Sequence, residues 1–289
     1  MKIAVVTDSN SGISREEGEQ LGLFVLPMPF LIDGQMYLEG IDLSHEEFYR
    51  RMAAGADITT SQPSPDSVLT LWDNLLREYD QIVHIPMSSG LSGSCQTAQV
   101  LAQDYEGKVW VADNHRISVT QRQSALEAVA LADKGYSGGE IREILERTGG
   151  DSIIYITVDT LKYLKKGGRI TPAAAALGTL LRIKPVLQIA GERLDAFSKV
   201  RTMKQAKTAM MAAIAKDLEG FLGDPKGQDT YFQVAHSCNE EEAGELKAAL
   251  EELYPNWPVE SAPLSLSIAC HIGPGSLAVA CTRRLKELS

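Results

Sequence analysis

Three stretches of this chain carry hydroxyls, a ring nitrogen and free backbone amides of the kind that suit an anion. Ile58-Thr59-Thr60-Ser61-Gln62-Pro63-Ser64-Pro65 places hydroxyls just before an expected helix, and Ser88-Ser89-Gly90-Leu91-Ser92-Gly93-Ser94 places more between an expected strand and helix. His271-Ile272-Gly273-Pro274-Gly275 adds an imidazole on a tight backbone. Hydroxyls and free amides at helix N-termini are what a protein uses to hold negative charge. A site of this kind without a base beside a nucleophile points to binding rather than turnover.

The catalytic alternatives are weaker. Gly90-Leu91-Ser92-Gly93-Ser94 falls one glycine short of a nucleophile elbow, and no motif singles out an acid to complete a triad of Ser92 and His271. A serine-rich loop capping a helix is the simpler reading. Asp8 lacks the second carboxylate that aspartyl-phosphate chemistry wants two residues on, where Asn10 stands, so it organises its own turn. No Walker loop occurs, and Gly273-Pro274-Gly275 lacks the third glycine of a dinucleotide fingerprint. His271 stands at the end of an expected strand, where histidines are usually structural, but Gly-Pro-Gly clears space beside its ring. Arg169 in Lys165-Lys166-Gly167-Gly168-Arg169 also suits a solvated helix end. His84 and His236 look structural, and His45 and His115 look like surface or turn residues.

The elements that must position these groups alternate strand and helix through the first half. Strands are expected at Lys2–Val6, Phe24–Ile32, Gln81–Ile85 and Val109–Ala112, with Pro27 and Pro29 placing the second at a sheet edge. Helices are expected from Ser14, from Ser44 (with Glu47 closing a capping box), from Ser64 or Asp66 towards Tyr79, and over Gln96–Asp104 and Arg122–Lys134. This alternation predicts a doubly wound parallel sheet, whose ligands sit beyond the carboxyl ends of the strands, where both hydroxyl-rich loops fall. After Gly149-Gly150 the pattern changes to α+β: strands at Ser152–Val158, Val186–Ile189, Leu194–Phe197, Thr230–His236 and Ser265–Cys270, and helices at Thr160–Lys166, Pro172–Leu181, Met203–Leu222 and Glu240–Leu253. The expected domains are residues 1–150 and 151–289.

With 289 residues and a formal net charge of -10, the chain has ample core material and lacks the basic balance of a nucleic-acid surface. Cys95, Cys238, Cys270 and Cys281 form no metal-ligand spacing, and no metal or cofactor is expected. No apolar run approaches the ~18 residues of a membrane span, and the N-terminus reads as a strand rather than a signal peptide. The expectation is a reduced, soluble, cytoplasmic protein with at most transient membrane contact.

Several motifs together resemble the DegV family: Thr-Asp-Ser-Asn-Ser-Gly at 7–12, Thr-Ser-Gln-Pro-Ser at 60–64, Ser-Gly-Leu-Ser-Gly-Ser at 89–94, Lys-Gly-Gly-Arg-Ile at 166–170, Lys-Pro at 184–185, Lys-Val-Arg-Thr at 199–202 and His-Ile-Gly-Pro-Gly at 271–275. The resemblance implies a fatty-acid-binding protein in which two α/β domains enclose one acyl chain in a tunnel. Some members are binding subunits of bacterial fatty acid kinase, presenting the acyl carboxylate to a separate ATP-dependent kinase and carrying the acyl phosphate. On this chain it implies Thr60 and Ser92 on the carboxylate, with Ser61 and the Gly93 amide close by. Arg169 and His271 would stand behind or beside the head group, and Arg201 on the kinase-facing surface. The small residues of Ala173–Gly178 would help shape the tunnel. No residue of this chain is then catalytic, and the ligand is a long-chain fatty acid. The other readings are a serine hydrolase of acyl esters using Ser92 and His271, and a lipid-sensing regulator. The chain departs from the family pattern at Ser94, where threonine is usual, and along Asn114–Gln121, which lacks the expected glycines.

Overall fold

The computed structural model describes residues 1–177 and 183–288. The chain divides into two compact units: Met1–Gly149 with Ser265–Ser267 and Leu285–Ser289, and Gly150–Leu264 with Ile268–Arg284. The expected division at residue 150 is a single cut; in the structure two later segments are grouped with the first unit.

The first unit runs β1 (Ile3–Asp8), α1 (Arg15–Leu21), β2 (Phe24–Leu26), β3 (Pro29–Ile32), β4 (Gln35–Leu38), α2 (His45–Ala53), β5 (Ile58–Thr60), α3 (Pro65–Leu75), β6 (Gln81–Ile85), α4 (Ser94–Ala102), β7 (Val109–Val111), α5 (Val119–Asp133) and α6 (Gly138–Arg147). Its main sheet, in the order β2-β1-β6-β7, is parallel throughout. The period of two in each strand sends alternate side chains to opposite faces. Val5, Val83 and Ile85 pack on one face with Ala125 and Leu131 of α5 and Ile141 and Leu145 of α6. Ala4, Val6 and Ile82 pack on the other with Trp72 of α3 and Ala98 of α4. Both faces are covered, which is the doubly wound arrangement expected.

Phe24–Ile32 departs from its expectation. It forms two strands: β2 is the edge of the parallel sheet, and β3 is the middle of a separate sheet in the order β4-β3-β5. Pro29 is tolerated there because it opens its strand. Ser44 caps α2 by accepting from the Glu47 amide, but Glu47 does not close a capping box. Its carboxylate instead binds Arg50 and Arg51, whose hydrogen bonds hold it down to about 2. The full capping box belongs to α6, between Ser137 and Glu140, a helix the sequence reading passed over.

The second unit runs β8 (Ser152–Thr157), α7 (Lys162–Gly167), α8 (Pro172–Leu177), β9 (Lys184–Ile189), β10 (Asp195–Val200), α9 (Met203–Glu219), β11 (Thr230–Ser237), α10 (Glu240–Leu253), β12 (Glu260–Pro263), α11 (Leu266–Ile272) and β13 (Ser276–Arg283). Its mixed sheet has the order β10-β9-β8-β13-β11-β12, and α9 and α10 supply Met210, Ile214, Leu246 and Leu250 to its core. The helix expected over Pro172–Leu181 is present to Leu177, and the rest of that stretch, with Gly178, lies outside the described residues. Ser265–Cys270, expected as a strand, is helical, and the strand of this region is β13. His271 therefore stands in the last turn of a helix, which ends where Gly273 takes a left-handed φ of 78°.

Candidate functional site

In the first unit the two hydroxyl-rich loops meet. Thr60 is the last residue of β5 and pairs with Phe30, while the Ser61 amide donates to the Pro29 carbonyl at 3.2 Å. Just beyond, the Gln62 side-chain oxygen accepts from Thr97 Oγ1 of α4 at 3.2 Å. A Cβ on Gly93 would lie 3.3 Å from the same oxygen. Gln62 thus pins the strand end carrying Thr60 and Ser61 onto the start of α4, where Ser92 and Gly93 stand.

The Ser88–Ser94 loop is wound on its own first residue. The Ser88 carbonyl accepts from the Leu91 and Ser92 amides at 3.0 and 3.1 Å, and its hydroxyl accepts from Gly90 N at 3.1 Å. Ser92 Oγ accepts the Ser94 amide at 3.2 Å. One lone pair is therefore committed, which orients the hydroxyl and leaves its proton to donate to an anion. Ser88 N in turn donates to the Arg116 carbonyl at 2.8 Å. The Arg116 guanidinium is fixed by the carbonyl of Thr148 at 2.7 Å, by Ser124 at 3.0 Å and by the buried Glu127 at 3.6 Å. The segment lacking the expected glycines keeps glycine-like conformations all the same: His115 and Ser118 both have φ 57°.

Beneath these loops lies the turn after β1. The Asp8 carboxylate accepts from Asn10 N at 3.0 Å, Met87 N at 2.8 Å and Gln121 Nε2 at 3.1 Å. Burial raises its carboxyl above the ordinary range, while these donors act to lower it. As expected it organises its own turn. In addition it holds Met87, the residue leading into the Ser88 loop, a role the sequence reading missed, together with those of Arg116 and Gln62.

In the second unit His271 and Arg169 are brought to one place by glycines. A Cβ on Gly167 would fall 2.1 Å from His271 Nδ1, one on Gly273 would fall 2.5 Å from the Tyr163 ring, and one on Gly275 would fall 2.3 Å from the Asp159 carboxylate. Asp159, Tyr163 and Gly167 are spaced four apart along the approach to α7 and the helix itself. Their three contacts run antiparallel to His271, Gly273 and Gly275. The motif His-Ile-Gly-Pro-Gly is thus the clearance that lets α7 lie against it. The αL residue Gly168 ends α7, and Arg169 donates back to the Gly167 carbonyl. Burial, and then the nearby Arg169 charge, pushes His271 down to about 4. The ring is neutral at physiological pH, able to donate one N–H but a poor general base.

Arg201 is exposed at the turn into α9, where its amide donates to the Gln205 side chain and Thr202 caps the helix. Among the described residues no group of three or more metal-binding side chains occurs, and no helix is long and apolar enough to cross a membrane.

Comparison with known proteins gives a consistent result. A family model described as "Uncharacterised protein, DegV family" matches residues 2–284. A "DegV domain-containing protein" of Deinococcus radiodurans is 34% identical over 281 residues, 97% of this chain and 98% of that protein. Among solved structures, a DegV family protein from Thermus thermophilus, described by its fatty acid binding, superposes with a TM-score of 0.89 at 31% identity, covering 98% of this chain and 100% of that one. DegV of Bacillus subtilis, described as a fatty acid binding protein, gives 0.86 at 30% identity with the same coverage.

Proposed function

The chain belongs to the DegV family, and from that premise we propose that it binds a long-chain fatty acid by its carboxylate and buries the acyl chain. Thr60 and Ser92 donate to the carboxylate, Ser61 and the Gly93 amide lie close by, and Arg169 with neutral His271 complete the polar environment. The observation that carries this reading is the Gln62 pin, which draws two hydroxyl loops together with Ser92 already oriented as a donor. The Thermus and Bacillus relatives, described as fatty acid binding, support the ligand class. Hydrocarbon burial contributes roughly 0.8 kcal/mol per methylene, and the head-group donors fix which end enters.

The protein acts as a carrier in the cytoplasm, without catalysis of its own, and presents the carboxylate to an ATP-dependent fatty acid kinase that returns an acyl phosphate. The exposed Arg201 serves that partner. The depressed basicity of His271 and the amide bond already accepted by Ser92 Oγ count against a serine hydrolase. Lipid released from the purified protein and identified by mass spectrometry tests the ligand, and its absence together with failure to take up added oleate overturns the reading. Thr60→Ala and Ser92→Ala should each weaken oleate binding by about 0.5–3 kcal/mol, and unchanged affinity in both removes the proposed head-group site. Arg201→Ala should spare oleate binding and slow acyl-phosphate formation with a kinase and ATP.

A further inference from the structure

We infer that Glu39 is a positioning residue for the head-group site, holding the start of the helix that carries His271; the inference rests on the carboxylate-binding reading above. Glu39 follows β4 and is buried, 7% exposed. It accepts Ser9 Oγ at 2.8 Å, Ser267 Oγ at 3.2 Å and the Leu266 amide, the first residue of α11. Asn10 Oδ1 accepts the hydroxyls of Ser265, at 3.4 Å, and Ser267. Ser9, whose oxygen already accepts Met28 N, and the Leu266 amide can only donate to the carboxylate, whereas an amide of the same shape would turn its own N–H group against one of them.

The geometry extends in two directions. Toward the C-terminus, α11 has seven residues, too few to hold itself. Its last turn is seated by the packing of Gly167 on His271 and of Tyr163 on Gly273, and its first turn by Glu39. Toward the N-terminus, Ser9 also accepts Met28 N at 3.0 Å, and Asn10 Nδ2 reaches Met87 Sδ at 3.0 Å. Met87 N is held by Asp8 at 2.8 Å at the entrance to the Ser92 loop. One buried acid therefore meets the first turn of α11 and, through Ser9 and Asn10, the residues that lead to Met28 and Met87. Burial raises the Glu39 carboxyl to about 7 in spite of these donors.

The test is E39Q, with Ser267→Ala as the milder second variant in case the first does not fold. Amide hydrogen exchange at residues 265–272 should speed up in the ligand-free protein. The His271 ring protons, assigned by comparison with His271→Ala, should titrate higher than in the wild type. Oleate affinity by calorimetry should fall about tenfold, the order expected for hydrogen bonds to a charged group. Wild-type exchange together with a wild-type His271 titration in both variants overturns the role of Glu39, as does unchanged oleate affinity. If the wild-type chain binds no oleate, the fatty-acid reading fails, while exchange and titration still decide whether Glu39 seats the helix of His271.

Discussion

The first unit positions Ser92 and Thr60 through a run of side-chain hydrogen bonds; the second seats His271 by close packing on glycines, with Arg169 tied back to the Gly167 carbonyl. In the first, Asp8, Arg116, Ser88 and Gln62 each tie a point of the loops to a named partner. In the second, three glycines whose Cβ positions are already occupied by other side chains bring α7 against the turn after α11. The difference follows from what each group must do. A hydroxyl has to point its proton, so its other bonds must be assigned. An imidazole that is to stay neutral has to be stripped of water, and close packing achieves that.

Breaking the steric half should cost most. Gly273→Ala puts a methyl group into the Tyr163 ring at a φ of 78°, and it should lower stability by about 3 kcal/mol in urea unfolding, with His271 displaced. The next largest effect is one of pH, at a buried histidine of the first unit. His84 is 2% exposed, lies edge-on to Trp72, and neither ring nitrogen finds a hydrogen-bond partner among the described residues. Its folded pKa of about 4 lies below the unfolded 6.5. The unfolded chain therefore binds the extra proton between these values, and stability falls as pH drops through that window, by about 2 kcal/mol at pH 5. Urea midpoints measured from pH 7 to 5 should fall less steeply in His84→Leu than in the wild type, the depressed His271 contributing in the same direction in both.

Two smaller changes sharpen the first half of the comparison. Ser118 spends strain at φ 57° to hold the loop behind Arg116, so Ser118→Gly should raise stability by about 1 kcal/mol, read as a higher urea midpoint. Thr97→Val removes the hydroxyl that Gln62 accepts. It should cost only about 0.5–1 kcal/mol of stability while loosening the loop of Thr60, visible as faster exchange at Ser61.

The sequence exposed the strands and helices that are periodic and capped, and both hydroxyl loops, because those signals are local. It misread Ser265–Cys270 because Ser265-Leu266-Ser267-Ile268 alternates polar and apolar as a strand does, in a run too short for a helical period to show. Only the capping of Leu266 by Glu39, distant in the chain, settles the matter. It passed over α6 because Gly138-Gly139 resembles a turn, yet a Cβ on Gly138 would meet the Trp110 ring at 2.4 Å. Glu39 and Arg116 carry no sequence signal at all: an acid after a strand and a base in a loop acquire meaning only from the partners the fold supplies.

The return of Ser265–Ser267 and of the segment from Leu285 to the first unit sets an order on synthesis. A ribosome adds on the order of 5–20 residues per second and releases most domains to fold as they emerge. Here the Leu266 and Ser267 donors to Glu39 are made only after 264 residues of chain, and Glu287, which pairs with Arg147, comes later still. The sheet of the second unit waits for β13, which lies between β8 and β11. The second unit therefore lacks a central strand until β13 is made, whereas the core of the first unit draws on residues 4–145 with only Leu285 added from the later segment.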